Sequence, residues 1–116
     1  MHTHHAIDYI EFTVPDLARV QRFYNEAFGW TFTDYGPTYA GIQGPAGREV
    51  GGIAETPAVR KGGPLVILFS EDLEASVAAV RAAGGTISLP PFAFPGGQRF
   101  HFLDPSGNEL AVWSHA

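Results

Sequence analysis

One carboxylate interrupts an otherwise apolar segment near the start of the chain. Glu11 lies in "IDYIEFTV", residues 7–14, whose loose alternation of apolar and polar residues predicts a β-strand. A buried carboxylate is costly unless it has a partner or a role. Glu11 could act as a general base or accept a hydrogen bond from a ligand. Equally, it could pair with Arg99 or bond to a tyrosine hydroxyl, because structural networks also hold such carboxylates.

A second candidate for proton transfer is His101, which stands between two phenylalanines in the segment "QRFHFL". A single histidine in an apolar strand is more often packed and hydrogen-bonded than catalytic. If Glu11 and His101 share one face of a sheet, the catalytic alternative gains weight. A metal site made of Glu11, His101 and Glu109 is conceivable, although no spacing rule supports it.

The composition restricts the chemistry further. The 116 residues include no cysteine, which excludes disulfides and thiolate chemistry. The net charge of −5 and the absence of a basic run disfavour nucleic acid as a partner. No apolar run reaches membrane-spanning length, so we expect a cytoplasmic protein with no membrane partner. The segment "MHTHH" and His115 are interpreted as frayed polar ends.

Two segments of the chain repeat one pattern at an offset of 56 residues. Asp16 and Asp72 each suit the N-cap of a helix, and apolar residues follow each of them at helical spacing. Gly29 and Gly85 suit the ends of these helices. Short extended segments surround both helices, so each half reads as strand–helix–strand–strand–strand.

This repeat predicts a single α+β domain over residues 1–116, made of halves at about 6–56 and 64–115. The halves should pair, because a unit of that size cannot bury a sheet face alone. The alternative is an unrelated ferredoxin-like sandwich. The segment "LPPFAFPGGQ", residues 89–98, is predicted to be an edge crossover, with a lid over a binding site as the alternative.

The segments "YIEFTVPDL", "FY" and "FGW" in the first half, with "DPSGNEL" in the second, resemble the vicinal oxygen chelate (VOC) superfamily. That superfamily includes glyoxalase I, bleomycin-resistance proteins, extradiol dioxygenases and fosfomycin-resistance enzymes. The resemblance implies tandem βαβββ modules, a curved mixed sheet around a cup that binds small molecules, and a homodimer. It does not fix the function, because one scaffold carries many activities.

Metal-dependent members of the superfamily hold a divalent ion with His, Gln or Glu at set strand positions. Aligned on the two helix-capping aspartates and the "DPSG" turn, the four positions fall on Tyr9, Gly52 (or its neighbour Gly51), Leu65 and Ala111. Glu49 lies near the second position but off register. Leucine and alanine have no donor atom for a metal ion. This departure from the superfamily's ligand pattern indicates no metal cofactor here and argues against a glyoxalase I activity.

The residues that line the cup follow from the alternation of side chains along a strand. Simple pairing across "DPSGN" would set His101 opposite Ala111 and Arg99 opposite Trp113. The ligand-binding candidates, besides the catalytic candidates Glu11 and His101, are Tyr9, Thr13, Tyr39, Arg99 and Trp113.

The preferred interpretation is a protein that binds a small organic molecule in its cup without a metal. One alternative is a lyase or isomerase of the glyoxalase-related type that uses Glu11 and His101 for proton transfer. Another is a metal enzyme with rearranged ligands, such as a dioxygenase-related one. A dimeric interaction module with no chemistry in the cup is the fourth.

Overall fold

Two modules, each of one strand, one helix and three further strands, follow each other in the computed structural model, which describes residues 2–116. The chain divides into two compact units. The N-terminal unit is Tyr9–Pro64, and the C-terminal unit joins Leu65–Ala116 to the residues through Asp8. The eight strands and two helices confirm the predicted α+β class with tandem βαβββ modules.

The first module places one helix on one face of a mixed sheet. Its elements are β1 Ile7–Val14, α1 Leu17–Phe28, β2 Phe32–Asp34, β3 Tyr39–Gln43 and β4 Glu49–Glu55. The strand order is β2-β3-β4-β1, in which β1 and β4 are parallel and the other neighbours are antiparallel. Leu17 of α1 packs against Val14 and Ile53, so the side chains of Tyr9 and Glu11 lie on the sheet face opposite the helix.

The second module has the same topology. Its elements are β5 Leu65–Phe69, α2 Leu73–Ala82, β6 Thr86–Phe94, β7 Gly97–Leu103 and β8 Glu109–His115. The order is β6-β7-β8-β5, and β5 and β8 form the parallel pair that corresponds to β1 and β4. Leu73 and Val77 of α2 pack against Phe100 and Val112, which leaves the opposite face of the sheet available for polar groups.

Both helices begin at the predicted caps with nearly the same geometry. Asp16 has φ −144° and ψ 96°, and Asp72 has φ −144° and ψ 97°. Each carboxylate accepts a hydrogen bond of 3.1 Å from the backbone N–H three residues later. Gly29 ends α1 at φ 75°, as predicted. After α2 the positive φ of 98° belongs to Gly84 and not to Gly85, so the predicted second helix stop is one residue too late.

The prediction of a crossover or lid at residues 89–98 is wrong. Strand β6 continues through Pro90 and Pro91, and a short turn containing Gly96 leads directly into β7. β6 is the last strand of its sheet, so one of its sides needs no ladder partners and tolerates residues without an N–H. Its pairing with β7 shifts register around the two prolines, as expected for a bulged edge strand.

Candidate functional site

A chain of hydrogen bonds between tyrosines and carboxylates crosses the sheet face of the N-terminal unit that lies opposite α1. The Tyr9 hydroxyl donates to Glu49 Oε2 at 2.8 Å and lies 3.0 Å from the Tyr39 hydroxyl. The Tyr39 hydroxyl in turn lies 3.1 Å from Glu11 Oε1, and the Tyr35 hydroxyl donates to Glu49 Oε1 at 2.5 Å. We call these five residues the tyrosine–carboxylate chain. It joins the buried Glu11 to the partly exposed Glu49.

Two glycines provide the space that the tyrosine–carboxylate chain occupies. A Cβ at Gly52 would overlap the Tyr39 hydroxyl and would lie only 2.7 Å from the Tyr9 hydroxyl. A Cβ at Gly41 would overlap the Glu49 carboxylate. Gly52 pairs with Glu11 across the parallel strands and Gly41 pairs with Gly52 across the antiparallel ones, so the gap runs across three strands. The tyrosine hydroxyls fill it.

The electrostatics of the tyrosine–carboxylate chain keep two of its phenols, those of Tyr9 and Tyr35, protonated. Burial raises the pKa of Tyr9 far above its ordinary value, and the hydrogen bonds to Tyr39 and Glu49 raise it further. The hydrogen bond to Glu49 raises the pKa of Tyr35, even though that side chain is largely exposed. Tyr9 and Tyr35 are therefore neutral hydrogen-bond donors at neutral pH, and both point at the carboxylate of Glu49.

Glu11 therefore has a tyrosine hydroxyl as a partner, which is one of the structural alternatives that the sequence leaves open. The residue pattern alone does not predict that Glu49 accepts a hydrogen bond in the tyrosine–carboxylate chain. β3 and β4 shift register between Ile42 and Gln43, and this irregularity places Glu49 opposite Gln43. A bulge of this kind moves a side chain to the other face of the sheet, and sequence alternation alone does not locate it.

The C-terminal unit presents a basic and aromatic group on the corresponding face of its sheet. The predicted pairing is confirmed, with Arg99 opposite Trp113 and His101 opposite Ala111. The Arg99 guanidinium carbon lies 5.5 Å from the Phe92 ring centroid and 5.9 Å from that of Phe94. The ring of Phe94 is 6.2 Å from Trp113. We call these four residues, Phe92, Phe94, Arg99 and Trp113, the arginine–aromatic cluster.

His101 belongs to a small polar group beside this cluster. Its Nδ1 lies 3.2 Å from Glu109 Oε2, and Ser88 Oγ donates to the same oxygen at 3.1 Å. The His101 ring also lies 5.9 Å from Phe92. A carboxylate bonded to Nδ1 fixes the orientation of the imidazole, which is an arrangement used both in structural networks and in proton transfer.

The four positions expected for metal ligands do not fit a metal ion. Tyr9 is held in the tyrosine–carboxylate chain, and the space beside Gly52 is taken by Tyr39. Leu65 and Ala111 are fully packed and have no donor atoms. Across residues 2–116, no three histidine or carboxylate side chains form a group that could hold a metal ion.

Of the remaining candidates, Thr13 accepts a hydrogen bond of 2.7 Å at its hydroxyl from the Arg60 backbone N–H. Trp113 donates from its indole nitrogen to Asp8 Oδ2 at 2.9 Å. His2 Nδ1 lies 2.7 Å from the other oxygen of Asp8, and its ring stacks on Phe69. The interpretation of the first histidines as a frayed end is therefore wrong from residue 2 onward.

His115 is packed as well, against the rings of Phe69 and Trp113 at 5.3 and 4.9 Å. His5 bonds to Ser76 Oγ of α2 at 3.0 Å, and its backbone N–H donates to the carbonyl of Phe69. Long-range pairing of this kind has no local signature, so a polar terminal segment gives no indication of it in the sequence. Neither helix found in residues 2–116 is long and apolar enough to cross a membrane.

Comparison with known families gives one match that covers most of the chain. The model of the "Glyoxalase/Bleomycin resistance protein/Dioxygenase superfamily" matches residues 6–112. The anthracycline biosynthesis protein DauV of Streptomyces sp. (strain C5) is 32% identical over an alignment of 118 positions, gaps included, that covers 85% of this chain and 43% of that protein. This chain thus spans less than half the length of that relative.

Two further proteins resemble the chain. A glyoxylase-like domain-containing protein of Didymella fabae is 30% identical over 94% of this chain and 93% of its own length. Among solved structures, the Mn(II)-bound glyoxalase of Novosphingobium aromaticivorans aligns with a TM-score of 0.69 at 24% identity, covering 98% of this chain and 40% of that one. At this identity the structural likeness concerns the fold alone.

Proposed function

Because the chain belongs to the glyoxalase/bleomycin resistance protein/dioxygenase superfamily, we propose that it binds a small organic molecule without the metal ion that many members use. The proposal concerns the sheet faces opposite the helices. Those faces carry the tyrosine–carboxylate chain in one unit and the arginine–aromatic cluster in the other.

One observation carries the proposal. The gap at Gly52, where a ligand-bearing side chain would begin, is filled by two tyrosine hydroxyls that bond to carboxylates. A histidine or glutamate at that position would displace both phenols. Leu65 and Ala111, at two of the remaining positions, are buried apolar residues that have no donor atom for a cation.

The arginine–aromatic cluster favours a planar ligand that carries a negative or strongly polar group. Phenylalanine and tryptophan rings offer flat apolar area, and the guanidinium of Arg99 offers a positive charge with several donors. Each guanidinium–ring contact contributes about 0.5–1 kcal/mol when exposed. The relative named for anthracycline biosynthesis fits this class, because anthracyclines are planar fused-ring aromatics.

A thermal-shift screen of planar aromatic acids and an anthracycline tests the binding proposal. We expect at least one compound to raise the melting temperature of the wild-type protein, since a ligand that binds only the folded state stabilises it. Arg99→Gln should reduce that shift. Arg22→Gln, which removes a charge from an exposed position of α1, is the matched control and should leave the shift unchanged.

Elemental analysis of the purified, untagged protein distinguishes metal-free binding from a metal enzyme. Less than about a tenth of an equivalent of transition metal is expected after purification without chelators, because a ligand set of this composition binds divalent ions weakly. A stoichiometric divalent metal, retained through dialysis, would favour a metal enzyme with rearranged ligands and would contradict the proposal.

A second candidate is a lyase or isomerase that uses Glu11 and His101 for proton transfer. It is favoured by the hydrogen bonds that orient these two groups, from Tyr39 to Glu11 and between Glu109 and His101. Once a ligand is found, Glu11→Gln separates the alternatives. Loss of turnover with retained binding would support the enzyme, whereas a change in affinity alone would support the binding protein.

The proposal also includes a homodimer and a cytoplasmic location. Membership of the superfamily supports the first, and the lack of a membrane-spanning apolar run supports the second. Light scattering coupled to size-exclusion chromatography checks the oligomeric state, and a monomer at all concentrations would contradict the dimer. Fractionation of the source cells checks the location.

A further inference from the structure

In the tyrosine–carboxylate chain, the contacts between oxygen atoms outnumber the protons that can bridge them. Three contacts run in series from Glu49 to Tyr9, from Tyr9 to Tyr39 and from Tyr39 to Glu11, at 2.8, 3.0 and 3.1 Å. Each hydrogen bond needs one proton between its two oxygens. The two phenols supply only two protons, and ionised carboxylates supply none. Tyr35 adds no proton to the series, because it donates to the other oxygen of Glu49.

One additional proton completes the series. If Glu49 is protonated, it donates to Tyr9, Tyr9 donates to Tyr39, and Tyr39 donates to Glu11. If Glu11 is protonated, every bond in the series points the other way. We propose that Glu49 and Glu11 share one proton, which passes between them through the hydroxyl groups of Tyr9 and Tyr39.

The proposed transfer is balanced at every atom. A proton leaves the Glu49 carboxyl for Tyr9 Oη as the Tyr9 hydroxyl proton moves to Tyr39 Oη. The Tyr39 hydroxyl proton moves at the same time to Glu11 Oε1. One proton has then left Glu49 and one has arrived on Glu11, and both phenols are again neutral. The raised pKa of Tyr9 is consistent with this, since it disfavours a separate tyrosinate.

The ionisable side chains that contact one another here come from several elements of the unit. They are Glu11 and Tyr9 from β1, Tyr39 from β3, Glu49 from β4, and Tyr35, which follows β2. Glu11 and Tyr39 also have interactions outside the series. Because Glu49 is partly exposed and Glu11 is buried, the series gives the buried carboxylate a path for proton exchange with solvent.

The proposal is tested by carboxyl-carbon NMR of protein labelled with 13C-glutamate, titrated with acid. The resonances of Glu11 and Glu49 are assigned with the variants Glu11→Gln and Glu49→Gln. In the wild type, we expect both resonances to shift in the same titration step, because coupled groups titrate as a pair. Independent single-step titrations of the two carboxylates in the wild type would overturn the proposal without any variant.

Phenylalanine variants distinguish a relay from simple charge repulsion. Tyr9→Phe and Tyr39→Phe each remove one link, and in both we expect Glu11 and Glu49 to titrate separately. Tyr35→Phe removes a hydrogen bond to Glu49 that lies outside the series, so the common step should persist. A common step that survives in both link variants would show coupling through space and would refute the relay.

The relay does not depend on a ligand. The titration uses the free protein, whereas the thermal-shift screen is run at one pH. Loss of the common titration step would therefore leave the binding proposal standing, and a failed ligand screen would leave the relay standing.

Discussion

Replacing Gly52 with alanine should destabilise the protein through the tyrosine–carboxylate chain. The new Cβ would overlap the Tyr39 hydroxyl and would lie 2.7 Å from the Tyr9 hydroxyl. The Tyr39 ring must therefore swing away. Its hydroxyl then loses its contacts with Tyr9 and Glu11 at 3.0 and 3.1 Å.

The magnitude combines two contributions. Loss of two side-chain hydrogen bonds costs about 1 kcal/mol each. Forcing an extra methyl group into a packed site costs about 1–3 kcal/mol, and here the lower end applies because the atom in the way is the tip of a movable side chain. We therefore expect Gly52→Ala to lower the free energy of unfolding by about 2–4 kcal/mol.

Urea denaturation followed by far-UV circular dichroism measures this loss, provided that the slope m stays constant. The same substitution is then made in a Tyr39→Leu background, where the shorter side chain leaves room for the methyl group. There we expect the cost of Gly52→Ala to fall to about 1 kcal/mol, since the overlap with Tyr39 is gone and only the Tyr9 hydroxyl, at 2.7 Å, has to shift.

Gly51 offers a matched control on the opposite face of β4. A Cβ at Gly51 would overlap the backbone carbonyl oxygen of Ile10, which Tyr39→Leu does not move. The cost of Gly51→Ala should therefore be equal in both backgrounds. The reasoning is refuted if Gly52→Ala costs less than about 0.5 kcal/mol, the usual effect of a neutral surface substitution. It is equally refuted if Tyr39→Leu fails to relieve the cost.

Three other outcomes are expected. Asp16→Ala and Asp72→Ala should each cost about 1 kcal/mol in urea denaturation, and the two costs should agree, because the caps share one geometry; a large inequality would argue against equivalent modules. Folding raises the pKa of Tyr9, so its contribution to stability is complete below about pH 10 and declines at higher pH. Urea midpoints should therefore fall more steeply with pH above about 10 in the wild type than in Tyr9→Phe, and parallel curves would contradict this. Asp8→Ala leaves the Trp113 indole N–H without its acceptor and should cost about 1–3 kcal/mol, with a change in tryptophan emission; unchanged stability and emission would show that this bond contributes little.

The local signals of the chain predicted the modules well. Asp16 and Asp72 cap their helices where expected, and the turn at "DPSGN" forms through backbone bonds to the Asp104 carboxylate with Gly107 at φ 87°. These features depend on the residue itself and its next few neighbours, so the sequence is sufficient to find them. The pairing of Arg99 with Trp113 followed from the same turn.

The predictions that the structure contradicts concern features that depend on tertiary structure. Pro90 and Pro91 lie inside a strand because β6 is at the edge of its sheet, and edge position is a property of the assembled sheet. His2 contacts Asp8 and Phe69, and no local sequence pattern predicts these contacts. Glu49 lies in the tyrosine–carboxylate chain because of a register shift, and that shift depends on how β3 and β4 pair.

The sequence by itself determined the α+β class, the repeated strand–helix–strand–strand–strand order and the lack of donor atoms at Leu65 and Ala111, since each depends on residue type and short-range spacing. Only the tertiary structure decided what takes the place of a metal ligand at Gly52. A missing side chain leaves a space, and the strands beside it supplied the two tyrosine hydroxyls that fill it. Contacts between strands that are far apart in sequence fixed that choice.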